Sequence, residues 1–131
     1  MLITIDLQSE IPLYLQLKTQ LIKGIATGEL AEGEPLPSFR QLSADLGINM
    51  LTVKKTYDQL KQEGYLTMHR QKGAVVNGQL HARMTDQYVL TLKQQLAPFI
   101  TEAFCYGMKK AQFTAICNAL YEELEEGKEN D

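Results

Sequence analysis

The chain has 131 residues, the length of one ordinary domain or of one domain with an appendage. Hydrophobic residues make up 44% and charged residues 22%, which excludes wholesale disorder. The formal net charge is −3, and a total of that sign argues against a nucleic-acid binder, which ordinarily carries a basic excess.

No apolar run is long enough for a transmembrane helix, so no membrane partner is expected. The opening Met1-Leu2-Ile3-Thr4-Ile5-Asp6 has neither a basic n-region nor a long apolar h-region, so no export signal is expected either. Cys105 and Cys117 form no CxxC pair and read as reduced thiols of a cytoplasmic protein.

Helical periodicity begins after Pro12. Leu13, Leu17, Leu21 and Ile25 recur every four residues, Tyr14 and Ile22 widen the stripe, and Gly28 suits the helix end. Gly33, Pro35 and Pro37 then make a stiff connection. Ser38, with Gln41 three residues on, predicts a capping box opening a short second helix, with Leu42 and Leu46 on its apolar side and Gly47 as its stop. After the turn Gly47-Ile48-Asn49, a third helix starts with Asn49 as its cap and runs to Gly64, with Val53, Tyr57 and Leu60 along one face. Two helices joined by so short a glycine turn make a helix-turn-helix.

From Tyr65 the period changes to that of a strand, Tyr65–His69. The stretch Arg70-Gln71-Lys72-Gly73 reads as a turn and Ala74–Val76 as a second strand. A hairpin behind a helix-turn-helix is a winged helix, and its tip here is basic. Composition shifts after Asn77-Gly78, which places a domain boundary near residue 78 and divides the chain into 1–78 and 79–131. The second part reads as helical. Val89, Leu92, Leu96, Phe99 and Ala103 follow one stripe, with Pro98 either kinking that helix or opening a new one. Gly107 breaks the pattern, and Phe113, Ile116, Cys117, Leu120, Tyr121 and Leu124 form a second stripe. The expected fold is therefore mostly α with a small β-hairpin, an N-terminal winged helix-turn-helix followed by a C-terminal helical region.

Dividing the charge changes its meaning. Residues 38–77 hold Arg40, Lys54, Lys55, Lys61, Arg70 and Lys72 against Asp45, Asp58 and Glu63, whereas the acidic excess falls after residue 80. In a winged helix, Arg40, Lys54, Lys55, Arg70 and Lys72 are expected on one face, able to neutralise phosphates. Asn49, Leu51, Thr52 and Lys55 occupy the first turns of the third helix, the part that enters a major groove in helix-turn-helix proteins. Asn49 is open to two readings, a base contact to adenine or a helix cap alone. The lysines suit phosphates better than bases, an ammonium being a point charge.

Ile11-Pro12-Leu13-Tyr14-Leu15-Gln16-Leu17, then Gly33-Glu34-Pro35-Leu36-Pro37-Ser38-Phe39-Arg40-Gln41-Leu42, Leu46-Gly47-Ile48-Asn49, Leu60-Lys61-Gln62-Glu63-Gly64-Tyr65-Leu66 and Lys72-Gly73-Ala74-Val75-Val76 together resemble the GntR family of bacterial transcription regulators. The resemblance covers residues 11–77. It implies that Arg40, Met50, Thr52 and Lys54 contact DNA and that the wing tip, Arg70 to Gly73, reaches a minor groove. The implied DNA-binding set is Ser38, Arg40, Asn49, Met50, Leu51, Thr52, Lys54, Lys55, Arg70, Gln71, Lys72 and Gly73. The chain departs from the family pattern at Met50 and Leu51, where polar residues or proline are common, at Gln71, which stands for a glycine and makes the tip less permissive of positive φ, and at Ala74, which stands for a threonine. The short region after residue 78 resembles the YtrA subfamily, which implies a small dimerisation region and control of a nearby transporter operon.

Two short helices cannot bury both apolar stripes between themselves, so Val89, Leu92, Leu96 and Phe99 with Phe113, Ile116, Leu120 and Leu124 are expected to pack against a second chain. The competing arrangement packs them on the chain's own winged helix. His69 and His81 stand in no metal spacing, and no GxSxG or glycine-rich phosphate loop appears, so neither an enzyme, a metal site nor a cofactor is expected. The expected function is a homodimeric regulator, a repressor on a palindromic operator in double-stranded DNA. The alternative is a winged helix used only for protein interaction. A small-molecule effector is left open, since no residues mark a pocket for one. The acidic stretch Glu122–Asp131 is expected to hold the far side of a dimer away from DNA.

Overall fold

The computed structural model describes residues 2–129, so Asn130 and Asp131, the end of the acidic stretch, lie outside the described residues. The chain forms two compact units, one running to Gly78 and the other spanning Gln79–Gly127.

In the first unit, α1 (Leu13–Thr27) begins after Pro12 and ends at Gly28, which is left-handed and donates its N–H to the Ile25 carbonyl. Leu17 and Leu21 are buried from its apolar stripe. Its polar side holds the extended segment before it, a role that helical periodicity does not signal. Gln20 Oε1 accepts the Thr4 N–H at 2.9 Å while its Nε2 donates to the Thr4 carbonyl at 2.6 Å. One turn earlier, Gln16 repeats the pattern on Asp6 and also donates to the Ile11 carbonyl. Two glutamines thus serve as the neighbouring strand that this segment lacks, and they bring Ile3 and Ile5 against the core.

Helix α2 (Phe39–Leu46) opens on Ser38, whose hydroxyl oxygen accepts the Gln41 N–H at 3.1 Å. The other half of the expected capping box is replaced. Gln41 donates its side-chain amide to Asp45 at 2.8 Å, because an ionised acceptor one turn ahead makes the stronger bond. Gly47 closes the helix at φ +68°, a left-handed turn that a side chain would strain, and α3 (Met50–Gln62) follows at once. Asn49 caps it, its Oδ1 accepting the Leu51 N–H at 2.7 Å.

Strands β1 (Leu66–His69) and β2 (Gly73–Val76) pair antiparallel in the register Leu66↔Val76 to His69↔Gly73. A third extended segment lies along β2. Gly33 donates to the Val76 carbonyl, Val76 to that of Glu34 and Leu36 to that of Ala74, with Pro35 bridging Val75. What reads as a stiff connection is thus an edge pairing. Pro35 is tolerated there because an edge position does not call on its missing N–H.

The core gathers Leu17 and Leu21 of α1, Leu42 of α2, Val53, Tyr57 and Leu60 of α3, Leu66 and Val76 of the hairpin, and Leu30 and Leu36 of the connections. Thr56, fully buried, sets its hydroxyl within reach of the Thr52 carbonyl at 3.0 Å and the Tyr14 carbonyl at 3.3 Å, linking α3 to α1.

After Gly78 the chain forms a short 3-10 helix (Leu80–Arg83), α4 (Asp86–Cys105) and α5 (Lys110–Glu129). Thr85 caps α4 by accepting the Tyr88 N–H at 3.1 Å. Helix α4 runs through Pro98, so the prolyl residue does not open a new helix. Left-handed Gly107 ends the helix, and Met108 donates its N–H to the Ala103 carbonyl. No residue of α4 is buried, nor is any residue of α5 whose side chain is described.

Tyr57 ties α3 to the connection before α2 by donating its hydroxyl to the Pro37 carbonyl at 2.8 Å, and burial pushes the pKa of that hydroxyl up. Tyr57→Phe leaves the carbonyl without its partner and is expected to cost about 1–2 kcal/mol in urea unfolding. Unchanged stability would contradict the assigned bond.

Candidate nucleic-acid interface

The direction in which α3 faces follows from its buried side. With Val53, Thr56, Tyr57 and Leu60 in the core, a period of 3.6 residues turns Leu51, Lys54, Lys55 and Asp58 to the opposite face. These four, with Gln59 and Gln62, line one open depression. Arg40 of α2 and the wing residues Arg70 and Lys72 are exposed but are not among its lining residues.

The cations on this face are held by neighbours, two of them by an acid at helical spacing and one by an aromatic ring of α1. Lys54 Nζ donates to Asp58 Oδ2 at 2.9 Å, and Lys61 approaches the other oxygen of that carboxylate at 3.3 Å. The hydrogen bond from Lys54, then that from Lys61, holds the Asp58 carboxyl below the usual carboxylate range. A lowered folded-state pKa means that the pairing supports α3 above the ordinary carboxylate range and is lost as pH falls through the lowered value. Lys55 lies over the Tyr14 ring, its Nζ 4.0 Å from the centroid, so α1 orients a cation of α3. Lys18, away from this face, pairs with Glu63 at 2.7 Å.

Of the remaining expected residues, Ser38 and Asn49 act as helix caps, each through its side-chain oxygen. Thr52 is half-buried, and Met50 and Leu51 are exposed apolar groups at the helix start.

At the wing, His69 organises the turn. Its Nδ1 accepts the N–H groups of Gln71 and Lys72, each at 3.2 Å, so the ring fixes the loop that carries Arg70 and Lys72. The one left-handed residue of the turn is Gly73, at φ +77°. Gln71 does not adopt positive φ, so it stands in the tip without backbone strain. A histidine next to a basic turn is visible in the sequence; its use as a backbone acceptor follows from the hairpin register.

Comparison with known proteins bears on this arrangement. The model of the bacterial regulatory proteins, gntR family, matches residues 13–76. The HTH-type transcriptional repressor YtrA of Bacillus subtilis is 27% identical over 130 residues, covering 99% of this chain and all of the relative. The solved structure of YtrA from Sulfolobus acidocaldarius, a GntR-family transcription factor, is 40% identical, covers 72% of this chain and 97% of that one, and has a TM-score of 0.57. The chain belongs to the GntR family. A transcriptional antiterminator from Listeria monocytogenes, at 21% identity, shares the fold with a TM-score of 0.83 over 95% of this chain and 93% of that one. Among GntR proteins this one is YtrA-like, since the match to the Bacillus protein runs past the winged helix to the short helical region. The family consists of transcription regulators, and no helix among the described residues is long and apolar enough to cross a membrane.

Lys54 is engaged by Asp58, so removing that carboxylate tests whether the ammonium reaches phosphate. Asp58→Asn is expected to tighten binding to any duplex and to steepen the fall of log K with log salt by about 0.9 for each additional phosphate neutralised. Titration at several salt concentrations measures both, and an unchanged slope with unchanged affinity would show that Lys54 does not reach phosphate.

Proposed function

We propose that this GntR-family protein is a repressor that binds an inverted-repeat operator in double-stranded DNA as a homodimer. In this reading residues 1–78 meet the DNA and residues 79–131 join the two chains. Arg40, Lys54, Lys55, Arg70 and Lys72 hold phosphates, while Asn49, Met50, Leu51 and Thr52 approach base edges and Gln71 and Gly73 shape the wing. Ser38 places the start of α2, and with it Arg40.

The observation that carries the dimer is the surface of α4 and α5. Val89, Leu92, Leu96 and Phe99 on α4 and Ile116, Leu120 and Leu124 on α5 are exposed, and Phe113 is only half-buried. Soluble monomers rarely leave so extended an apolar stripe in water. A two-fold dimer also suits a palindromic site, because each winged helix then meets an equivalent half-site. Glu122, Glu123, Glu125 and Glu126 are then placed to keep the far side of the dimer off the phosphates. Occupation of a promoter by such a dimer excludes polymerase, in keeping with the repressor activity named for the Bacillus relative. The protein would act in the cytoplasm, with any small-molecule effector acting through the same two units.

Sedimentation is expected to give twice the chain mass of 14.8 kDa. Leu120→Glu should shift the protein to monomer and weaken operator binding by at least tenfold, while leaving the winged helix folded. Selection from random duplexes should return inverted half-sites with centres about one helical turn apart, or a multiple of it. Unrelated single sites bound by a monomer would contradict the proposal.

A further inference from the structure

The first turn of α3 is unusual in what it leaves free. The Asn49 oxygen already accepts the Leu51 N–H at 2.7 Å, so reading adenine through both amide atoms would share that oxygen with the helix cap. Lys54 is bonded to Asp58, and Lys55 rests over Tyr14. Val53 and Thr56 face the core. Beside the half-buried Thr52, the apolar groups that project from this turn are Leu51, 69% exposed, and Met50, 39% exposed.

A single exposed leucine is ordinary on a protein surface. Here its setting narrows the partner. Leu51 lines the same depression as Lys54 and Lys55, so a polyanion would bring its charge to these cations and an apolar group to the leucine. In the major groove, the apolar group presented by a base pair is the thymine C5-methyl.

We propose that Leu51, flanked by Met50, reads thymine methyl groups, so that part of the half-site is recognised by apolar contact rather than by hydrogen bonds. The lysines fix register along the backbone, and the methyl contact supplies discrimination against cytosine and the purines. This rests on the reading of α3 as the major-groove helix.

The test uses the full chain and a duplex recovered by selection from random sequence. Thymidines of one half-site are replaced one at a time by deoxyuridine, which removes the methyl and keeps the pairing edge and the O4 acceptor. At one or two positions affinity is expected to fall about three- to fourfold, the value of one methyl-sized group returned to water. Leu51→Ala, at an exposed site and so expected to keep the wild-type unfolding midpoint, should bind the thymine duplex more weakly and lose its response to deoxyuridine at one of those positions. Met50→Ala identifies the second position if there are two. Specific binding that ignores every deoxyuridine replacement overturns the methyl reading and leaves the DNA reading intact. A Leu51→Ala protein that retains the full deoxyuridine response also overturns it. Failure to bind any duplex overturns both.

Discussion

The structure of the first unit depends on the burial of one side of α3. Val53, Thr56, Tyr57 and Leu60 are packed by α1, α2 and the hairpin, and Tyr57 is further pinned to the Pro37 carbonyl. A helix fixed on that side has no rotational freedom, so the positions about half a turn away face outward. Leu51, Lys54, Lys55 and Asp58 are those positions. The exposed chemistry is therefore a consequence of the core. A slip of α3 by one residue would turn it by about 100° and carry Lys54 or Lys55, according to its direction, toward the core.

Electrostatics act on that frame at two levels. The sum over the chain is acidic, yet phosphate would meet a local surface, and Arg40, Lys54, Lys55, Arg70 and Lys72 all lie in the stretch where basic residues exceed acidic ones. Within the local surface the cations are not all free. Asp58 holds Lys54 and Lys61 at once, and Tyr14 holds Lys55 by its ring. In the proposed complex Lys54 would exchange Asp58 for phosphate, which would moderate affinity for arbitrary sequence and leave apolar contact with more of the discrimination.

Much of this was legible in the amino-acid order because it is local. Apolar period marks α1 and α3, Ser38 and Asn49 announce their helices, and Gly47 marks the turn between α2 and α3. What was not legible depends on distant partners. The edge pairing of Gly33–Leu36 with β2 needs the hairpin already in place, and the glutamine clamps on Thr4 and Asp6 need α1 folded first. Gln41 illustrates a local rule overruled by a better local partner, Asp45. Pro98 admitted two readings because a proline costs a helix one bond. On an exposed helix the carbonyl it orphans can turn to water, so α4 continues. The roles of individual side chains toward DNA are a further step, resting on exposure and on which atoms are already engaged.

The central claim is that the outward side of α3 and the wing form the nucleic-acid face, while α4 and α5 serve the second chain. Backbone amide shifts recorded during titration with a selected operator duplex test it most directly. The account predicts changes concentrated at Arg40, at Asn49 to Lys55 and at His69 to Gly73, with α4 and α5 largely unaffected. Shifts confined to α4 and α5, with the start of α3 and the wing unchanged, would contradict it.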